Sequence, residues 1–319
     1  MTTSTTTVTG APELSLAQQG VKLGRWMTLP TQLLLVFIFA FPGAMIIYVS
    51  MSWWGPLDGV PWYYAYESLN WFDNYAELLE DERFWGSMWR TFIIMIVVVP
   101  VEFFLGLGLA ILFVDNFALK RVFYSVLLMP MMVVPAVAGY MFYILFQSNG
   151  PINQLLSLIT GYEIDLVWLS DPDNAFIAIM VADIWQWTPL MFLILLAGLL
   201  GVPEDQLKAA TLLGANWAQK FWRIALPKMR IVMVIALVIR AVEAFKLFDV
   251  MYVMTKGGPG VATETISVYI YKVTFLELEW SYVSAIGFAV LMFLTALGAI
   301  GIAILANAQK KKRLADVVD

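Results

Sequence analysis

Residues 208–227, KAATLLGANWAQKFWRIALP, form a polar interruption in an otherwise apolar chain. Pro203 lies just before it and favours a helix start, because proline costs nothing at a first helical position. Gly214 can take the positive φ that ends this helix, and Asn216 is a good N-cap for a second one. Pro227 is expected to stop the second helix. The stretch therefore predicts a helical hairpin between two membrane spans.

The composition indicates a membrane protein. Of the 319 residues, 61% are hydrophobic and only 13% are charged, and the mean hydropathy is +0.78. A soluble domain could not bury that much apolar surface. The chain has no cysteine and no histidine, which excludes disulfides, thiolate chemistry and the usual zinc ligands. We therefore expect no metal site, no catalytic residues and no cofactor bound by this chain.

Six long apolar runs predict an all-α integral membrane protein with six transmembrane helices. Each run is long enough to cross about 30 Å of hydrocarbon. The predicted spans are residues 29–53, 91–114, 122–146, 175–200, 231–254 and 282–306. They form a transmembrane domain over residues 29–306, flanked by a disordered N-terminal tail (1–28) and a C-terminal tail (307–319).

Lysine and arginine are distributed unevenly between the two sides of this domain. The side with both termini and the 201–230 loop carries 13 of them, and the three opposite loops carry four. Because positive charge is retained on the inner side, both termini and the 201–230 loop are predicted to be cytoplasmic. An interfacial belt is expected from the tryptophans around the first outer loop, which are Trp53, Trp54, Trp62, Trp71, Trp85 and Trp89.

The predicted hairpin resembles the EAA loop of permease subunits in binding-protein-dependent ABC importers. The similarity lies in two small residues, a glycine and a closing Ile-x-Leu-Pro at fixed spacing. These residues are Ala209, Ala210, Gly214, Ile224, Leu226 and Pro227. The chain departs from the family pattern at Lys208, where a glutamate is usual, and at Leu213, where an acidic residue is common.

Three further stretches resemble carbohydrate-type permeases related to the maltose system. They are residues 70–75 (NWFDNY) with the following Phe84-Trp85, residues 187–203, and residues 245–260. The last stretch, FKLFDVMYVMTKGGPG, is similar to the Phe-Asp-x-x-Tyr-x-x-Thr-x-Gly-Gly-Pro signature of that group. The resemblance covers roughly residues 70–275 of the chain.

The resemblance implies a permease subunit of a sugar-type ABC importer in the bacterial inner membrane, surrounded by membrane lipid. A second, different permease, two ATPase subunits and an external (periplasmic) solute-binding protein would complete the complex, with ATP and Mg²⁺ on the ATPase subunits. The substrate would be a monosaccharide, oligosaccharide, polyol or glycerol phosphate. No nucleic acid partner is expected, and the chain lacks a G-x-x-x-x-G-K-[ST] loop for ATP. The residues implied in ATPase contact are Lys208, Ala209, Ala210, Gly214 and Ala215.

Four charged residues follow one another at a spacing of three within the fifth predicted span, Arg240, Glu243, Lys246 and Asp249. On a helix each neighbouring pair could meet, and Arg240 would lie near the bilayer midplane, where ionisable groups are expensive. One interpretation is a self-neutralising ladder that locks the span against its partners. The other is that Glu243, Lys246 or Asp249 offers hydrogen bonds to substrate hydroxyls in a water-filled cavity.

Other candidate residues also allow two interpretations. Glu102 is expected to bond within the bundle, and Asp183 to reach the headgroups at the outer end. Five aromatic residues could stack on sugar faces or simply pack in the membrane, and they are Tyr140, Trp185, Trp187, Phe245 and Tyr252. The run Gly257-Gly258-Pro259-Gly260 is either a plain turn or part of the surface on which the binding protein docks.

Two other classes of function are weighed against the permease. A stand-alone secondary transporter could use the buried acids for ion coupling, although such a protein has no need of the EAA-like hairpin. A membrane enzyme acting on lipid or sugar would need a convergent nucleophile, base or metal cluster. The sequence shows no such convergence.

Overall fold

The structure, a computed structural model, describes residues 16–318, and every regular element it holds there is helical. The prediction of an all-α protein is thus confirmed. In chain order the elements are α1 (Leu16–Ser50), a 3₁₀ helix (Trp62–Ser68), α2 (Asp73–Glu80), α3 (Glu82–Leu112), α4 (Lys120–Met132), α5 (Pro135–Leu145), α6 (Pro151–Thr160), α7 (Pro172–Leu200), α8 (Glu204–Leu212), α9 (Trp217–Lys220), a π-helical turn (Phe221–Ala225), α10 (Leu226–Phe245), α11 (Asp249–Thr255), α12 (Ile266–Lys272), a second π-helical turn (Val273–Glu277) and α13 (Trp280–Val318).

The centre of the bundle is formed by α3, α7 and α10, each of which packs against the other two. Gly106 lets α3 approach α7 closely. A Cβ atom at this position would lie 2.8 Å from both the Cβ of Met191 and the backbone N of Phe192. Because only glycine lacks that atom, the spacing of the two helices depends on it. These three helices carry the charged residues described below.

The outer helices present apolar side chains to their surroundings. α1 packs against α13, but residues 26–42 of α1 are all exposed, with Phe37 63% and Phe39 73% accessible. Such a surface suits lipid, not water. Of the six belt tryptophans, Trp54 is buried. The other five are exposed, as predicted for a membrane interface, and they are Trp53, Trp62, Trp71, Trp85 and Trp89.

Four of the six predicted spans correspond to single long apolar helices, over residues 26–50, 82–112, 172–200 and 280–301. The third predicted span is instead two helices, α4 and α5, bent by 97° at their junction. Pro135 starts α5, and the residue before a proline disfavours helical geometry. The fifth predicted span is also broken, because α10 ends at Phe245 and α11 begins at Asp249. Six single spans are therefore not observed.

The helix boundaries also differ from the predicted ones. Residues 16–28, predicted as part of a disordered tail, belong to α1, and α13 continues to Val318 through most of the predicted C-terminal tail. The remainder of the N-terminal tail, residues 1–15, lies outside the described part of the chain. α3 begins at Glu82, well before the predicted start at residue 91.

The early start of α3 is explained by Asp81, whose side chain accepts hydrogen bonds from the backbone N–H groups of Arg83 and Phe84. The same carboxylate accepts hydrogen bonds from the hydroxyls of Tyr269 and Tyr282. Burial raises the pKa of this carboxyl, but the hydrogen bonds from the two tyrosines and the backbone outweigh burial and leave the pKa below its usual value. Asp81 therefore ties three helices together in its ionised form.

Asp81→Ala is expected to lower the free energy of unfolding by about 1–2 kcal/mol, because α3 loses its N-cap. Since the pKa of Asp81 is lower in the folded state, its contribution is present at neutral pH. That contribution is lost as the pH falls from the unfolded value of about 3.9 through the folded pKa. Thermal unfolding of the purified chain in detergent, at pH 7 and in steps toward acid, measures both effects.

Asp171→Ala is the matched control for this change. Asp171 caps α7 by accepting a hydrogen bond from the backbone N–H of Asn174 at 3.0 Å. Its removal therefore costs the N-cap hydrogen bond but no hydrogen bond from a tyrosine. The larger loss is expected at Asp81. Equal losses at the two positions, or a difference that does not shrink in acid, would contradict the role given to the tyrosine hydrogen bonds.

Candidate functional site

The predicted hairpin is present and is formed by α8 and α9. α8 begins directly after Pro203, and Gly214 has φ +82° in the turn that follows it. Asn216 caps α9 through a capping box: its side chain accepts from the backbone N–H of Gln219 at 2.8 Å, and the Gln219 side chain accepts from the N–H of Asn216 at 2.9 Å. The helix, turn and second helix predicted from the sequence are confirmed.

Pro227 does not stop the second helix, contrary to the prediction. The chain continues from α9 through the π-helical turn into α10, and Pro227 lies in the first turn of α10. Proline is tolerated at this position because the first residues of an α-helix need no backbone N–H donor within the helix. The wider π-helical turn joins this first turn to α9. The second helix of the hairpin is therefore continuous with a central helix of the bundle.

One side of the hairpin is free and the other is anchored. No residue of α8 is buried, and Leu212 and Leu213 at its end are 88% and 89% exposed. Lys208 pairs with Glu204 of the same helix at 2.8 Å, and this bond lowers the pKa of the Glu204 carboxyl. The anchored side is an apolar cluster against the bundle, formed by Val202, Phe221 and Ala225 with Leu207, Ile224 and Leu226 around it.

The hairpin residues singled out from the sequence therefore divide into two groups. Ile224 and Leu226 belong to the anchor. The others lie on or near the free side: Ala209 and Gly214 are exposed, and Ala210 and Ala215 are half-buried. The two helices are held together by Lys220, whose Nζ donates to Thr211 Oγ1 at 3.1 Å.

The charged ladder, one of the two interpretations of the fifth span, forms only in part, at the Glu243–Lys246 pair. Arg240 instead crosses to the two other central helices. Its Nε and Nη2 donate to the two carboxylate oxygens of Glu102 on α3, at 2.6 and 2.9 Å, and its Nη2 also donates to Asp183 on α7. The Trp187 ring lies 5.4 Å from the guanidinium carbon. We call Glu102, Asp183 and Arg240 the core ion cluster.

The core ion cluster decides the two questions left open for the buried acids. Glu102 bonds within the bundle, as predicted. Asp183 is fully buried and does not reach the headgroups, so that prediction was wrong. The sequence marked each member singly, but periodicity along one helix cannot show which residues of three separate helices meet.

The remaining charges of the ladder lie where α10 ends. Lys246 donates to Glu243 at 2.9 Å, and the two side chains are 51% and 44% exposed. Residues 246–248 are not helical, and exposed Asp249 begins α11. This break interrupts the helix, so the predicted spacing of three does not carry over to Asp249. Glu243 and Lys246 together present an accessible carboxylate and an accessible ammonium group.

The aromatic candidates occupy different environments. Phe245 is buried and stacks on Phe293 at 5.2 Å, so it packs the core. Trp187 is half-buried beside the core ion cluster, and Trp185 packs edge-on against Phe142. Tyr140 is the most accessible of the five, at 60% exposed. The half-buried Tyr252 ring contacts Phe248 at 5.2 Å and Tyr271 at 4.8 Å.

The glycine-rich run at 257–260 is a packed turn, which we call the outer turn. Gly257 has φ +86° and is buried, and Thr263 Oγ1 donates to the carbonyl of Gly258 at 2.7 Å. Gly258-Pro259 is a cis peptide bond. A Cβ atom at Gly257 would lie 3.1 Å from Lys272 Nζ. The positive φ of Gly257, and of Gly260 at +59°, favours glycine at these two positions.

Sequence reasoning missed the ion pairs that support this turn. Glu264 is buried and accepts from Arg83 of α3 at 3.0 Å and from Lys272 of α12 at 2.9 Å. Arg90 donates to the Glu264 backbone carbonyl at 2.9 Å. The available signal was an acid placed four residues after the Gly-Pro-Gly run, but nothing in the sequence indicated its partners.

Comparison with known proteins identifies the family. Residues 82–314 match the family model of the binding-protein-dependent transport system inner membrane component. The chain is 34% identical over 265 residues, 83% of each chain, to the sulfoquinovosyl glycerol transport system permease protein SmoG of Agrobacterium fabrum. It is 33% identical over 252 residues, 79% of this chain and 83% of the other, to the trehalose/maltose transport system permease protein MalF of Thermococcus litoralis.

The fold agrees with this assignment. A chain in the crystal structure of a bacterial alginate ABC transporter, in complex with an alginate pentasaccharide-bound periplasmic protein, superposes with a TM-score of 0.72. The match covers 93% of this chain and 96% of that one, at 18% identity. The resemblance read from the sequence is thereby confirmed, and with it a multi-pass protein of the inner membrane. The chain belongs to the family of binding-protein-dependent transport system inner membrane components.

Proposed function

We propose that this chain is one permease subunit of an ATP-driven importer for a sugar or a related solute. The observation that carries the proposal is the exposed hairpin, which is continuous with a central membrane helix, in a chain of this family. Among the substrates expected from the sequence (monosaccharide, oligosaccharide, polyol or glycerol phosphate), the relatives named for sulfoquinovosyl glycerol and for trehalose and maltose support a glycoside or short oligosaccharide.

The chain would not work alone. A second, different permease would complete the translocation pathway, and two ATPase subunits would bind ATP and Mg²⁺. A periplasmic solute-binding protein would deliver the substrate from outside. The alginate transporter structure, which contains a substrate-bound periplasmic protein, supports the last of these partners.

The hairpin is proposed to transmit the ATPase movement. Its free side, with Ala209, Gly214 and Lys208, would sit in a groove of the ATPase, and the exposed Leu212 and Leu213 add apolar contact area. Because Lys208 is already paired with Glu204, this side needs no acid on the partner to neutralise it. Since α9 runs on into α10, displacement of the hairpin would move the central helices as a rigid body.

The accessible Glu243 and Lys246 pair is the proposed contact for substrate hydroxyls, with Asp249 and Tyr252 beyond the break in the helix. A carboxylate and an ammonium side by side can accept from and donate to the same sugar. Tyr252 offers an aromatic face for the apolar side of a sugar ring. The outer turn, Gly257 to Pro259, is proposed as part of the docking surface for the binding protein.

Glu243→Gln and Lys246→Gln are each expected to raise the substrate concentration for half-maximal uptake about tenfold. This corresponds to loss of one charge-assisted hydrogen bond, about 1.5 kcal/mol. Uptake of labelled sugar by liposomes containing the whole complex measures the change. Lys256→Gln, which removes an exposed charge just after α11, is the control and should leave uptake unchanged. Equal effects at all three positions would argue against a substrate contact at the pair.

The proposed function as a whole is tested by reconstitution. The chain is purified with its co-expressed partners, placed in liposomes, and supplied with a panel of sugars, with or without ATP and binding protein. Uptake that requires both, together with ATPase activity stimulated by one sugar, is the expected result. Uptake that persists without the ATPase subunits would overturn the proposal.

The stand-alone secondary transporter considered from the sequence has no support. Its only argument was the buried acids, and Glu102 and Asp183 are both bound to Arg240. The chain is a transport component by family, and its relatives are named as permease proteins.

A further inference from the structure

The charges of the core ion cluster do not balance if all three side chains are ionised. Glu102 and Asp183 are both 0% exposed, and Arg240 is 1% exposed. Two ionised carboxylates beside one guanidinium would leave a net charge of −1 among the three central helices. An uncompensated charge in a membrane interior is among the most unfavourable features a protein can hold.

The hydrogen bonds of the cluster are also incomplete. Arg240 donates hydrogen bonds to both carboxylate oxygens of Glu102 but only to Oδ2 of Asp183. Within residues 26–301, for which side chains are described, Asp183 Oδ1 and Gln186 Oε1 are buried and have no partner. Gln186 Nε2 donates to the carbonyl of Val133 at 2.9 Å, so the orientation of this amide is determined and its Oε1 can only accept. Two buried acceptors thus lie three residues apart on α7, a spacing that places side chains on neighbouring positions of one helix face.

A single proton would remove all three defects. On Asp183 Oδ1 it cancels the excess charge and turns one unpaired acceptor into a donor, and donation to Gln186 Oε1 satisfies the other. A bound metal cation fits less well, because these two oxygens are the only unpartnered ones the described part of the cluster offers, and cations such as Ca²⁺ take six or more oxygen ligands.

We propose that Asp183 is a neutral carboxylic acid that donates its proton from Oδ1 to Gln186 Oε1, leaving Glu102 as the counter-ion of Arg240. The groups that face this acid are Arg240 from α10, Glu102 from α3, and Gln186 and Trp187 from α7, with the Val133 carbonyl at the α4–α5 break behind Gln186. The neutral cluster joins α3, α7 and α10 without a residual charge in the membrane.

This charge state predicts that the fold needs the negative charge of Glu102 but does not need a negative charge at Asp183. In Asp183→Asn, the amide can donate to Gln186 and its oxygen can accept from Arg240, so the variant reproduces the neutral acid. In Glu102→Gln, Asp183 becomes the only available anion and gives up its proton to pair with Arg240. In the double variant Arg240 has no counter-ion.

Infrared spectroscopy of the purified full-length chain in lipid nanodiscs at pH 7 tests the assignment directly. A protonated carboxyl has a C=O stretch well separated from that of carboxylates. We expect this band in the wild type and its loss in Asp183→Asn and in Glu102→Gln. We expect a shift in Gln186→Leu, because the acceptor is gone. Absence of the band from the wild type, or its survival in Asp183→Asn, would overturn the proposal.

Thermal unfolding supplies a second and independent measurement. Asp183→Asn is expected to unfold within about 2 °C of the wild type, a shift that corresponds to little change in stability for a chain of this size. The double variant Glu102→Gln/Asp183→Asn is expected to be far less stable or to fail to accumulate. If Asp183→Asn alone fails to fold, Asp183 is needed as an anion and the proposal is wrong. Neither measurement depends on transport, so the proposed function and this inference can fail separately.

Discussion

Arg240→Met is expected to lower the free energy of unfolding by about 3–5 kcal/mol, the cost of removing one partner from a buried ion pair. The change leaves Glu102 and Asp183 fully buried without their guanidinium, and it removes the polar contact between α10 and its two neighbours. Denaturant unfolding of the purified chain in detergent, with folded yield as a second readout, measures the loss.

Two further variants separate charge from packing at this position. Arg240→Lys keeps the charge but cannot serve both oxygens of Glu102 together with Asp183, so it should fall between the wild type and Arg240→Met. Restoring neutrality in the triple variant Arg240→Met/Glu102→Gln/Asp183→Asn should recover part of the loss. If Arg240→Met is as stable as the wild type, the core ion cluster does not hold the three helices together.

Gly214→Val is expected to reduce uptake and binding-protein-stimulated ATPase activity about tenfold or more in the reconstituted complex. Valine is strained at φ +82°, so the turn must shift by way of its backbone. No atom lies within 4 Å of a Cβ added there, so the bundle itself is not crowded. The loss would therefore arise from a displaced hairpin that no longer fits the ATPase.

Gly161→Val is the matched control for this experiment. Gly161 ends α6 with φ +73°, and a Cβ added there also meets nothing within 4 Å. The backbone cost is therefore similar, but the site is in a different loop. Uptake should stay close to the wild type in Gly161→Val. Equal losses at both glycines would mean that strain alone, and not the hairpin, causes the defect.

Local features of this protein could be predicted from the sequence because short-range forces decide them. The N-cap at Asn216 and the positive φ of Gly214 depend on residues within a few positions, and the structure has both. The membrane class follows from composition, since no fold could bury that many apolar side chains in water. The family could be recognised for the same reason, because its hairpin motif is a local pattern.

Features that depend on several helices could not be predicted in this way. The spacing of charges favoured partners for Arg240 on its own helix as one interpretation, but its partners are Glu102 and Asp183, 138 and 57 residues away in sequence. Buried charges pair with whichever opposite charge the packing brings within reach, and a low-dielectric interior strengthens that choice. The end of α10 at Phe245 was not visible in the sequence either, because the apolar run continues past it. At Pro227 the π-helical turn places the proline in the first turn of α10, where proline is tolerated, so the chain continues there without a stop.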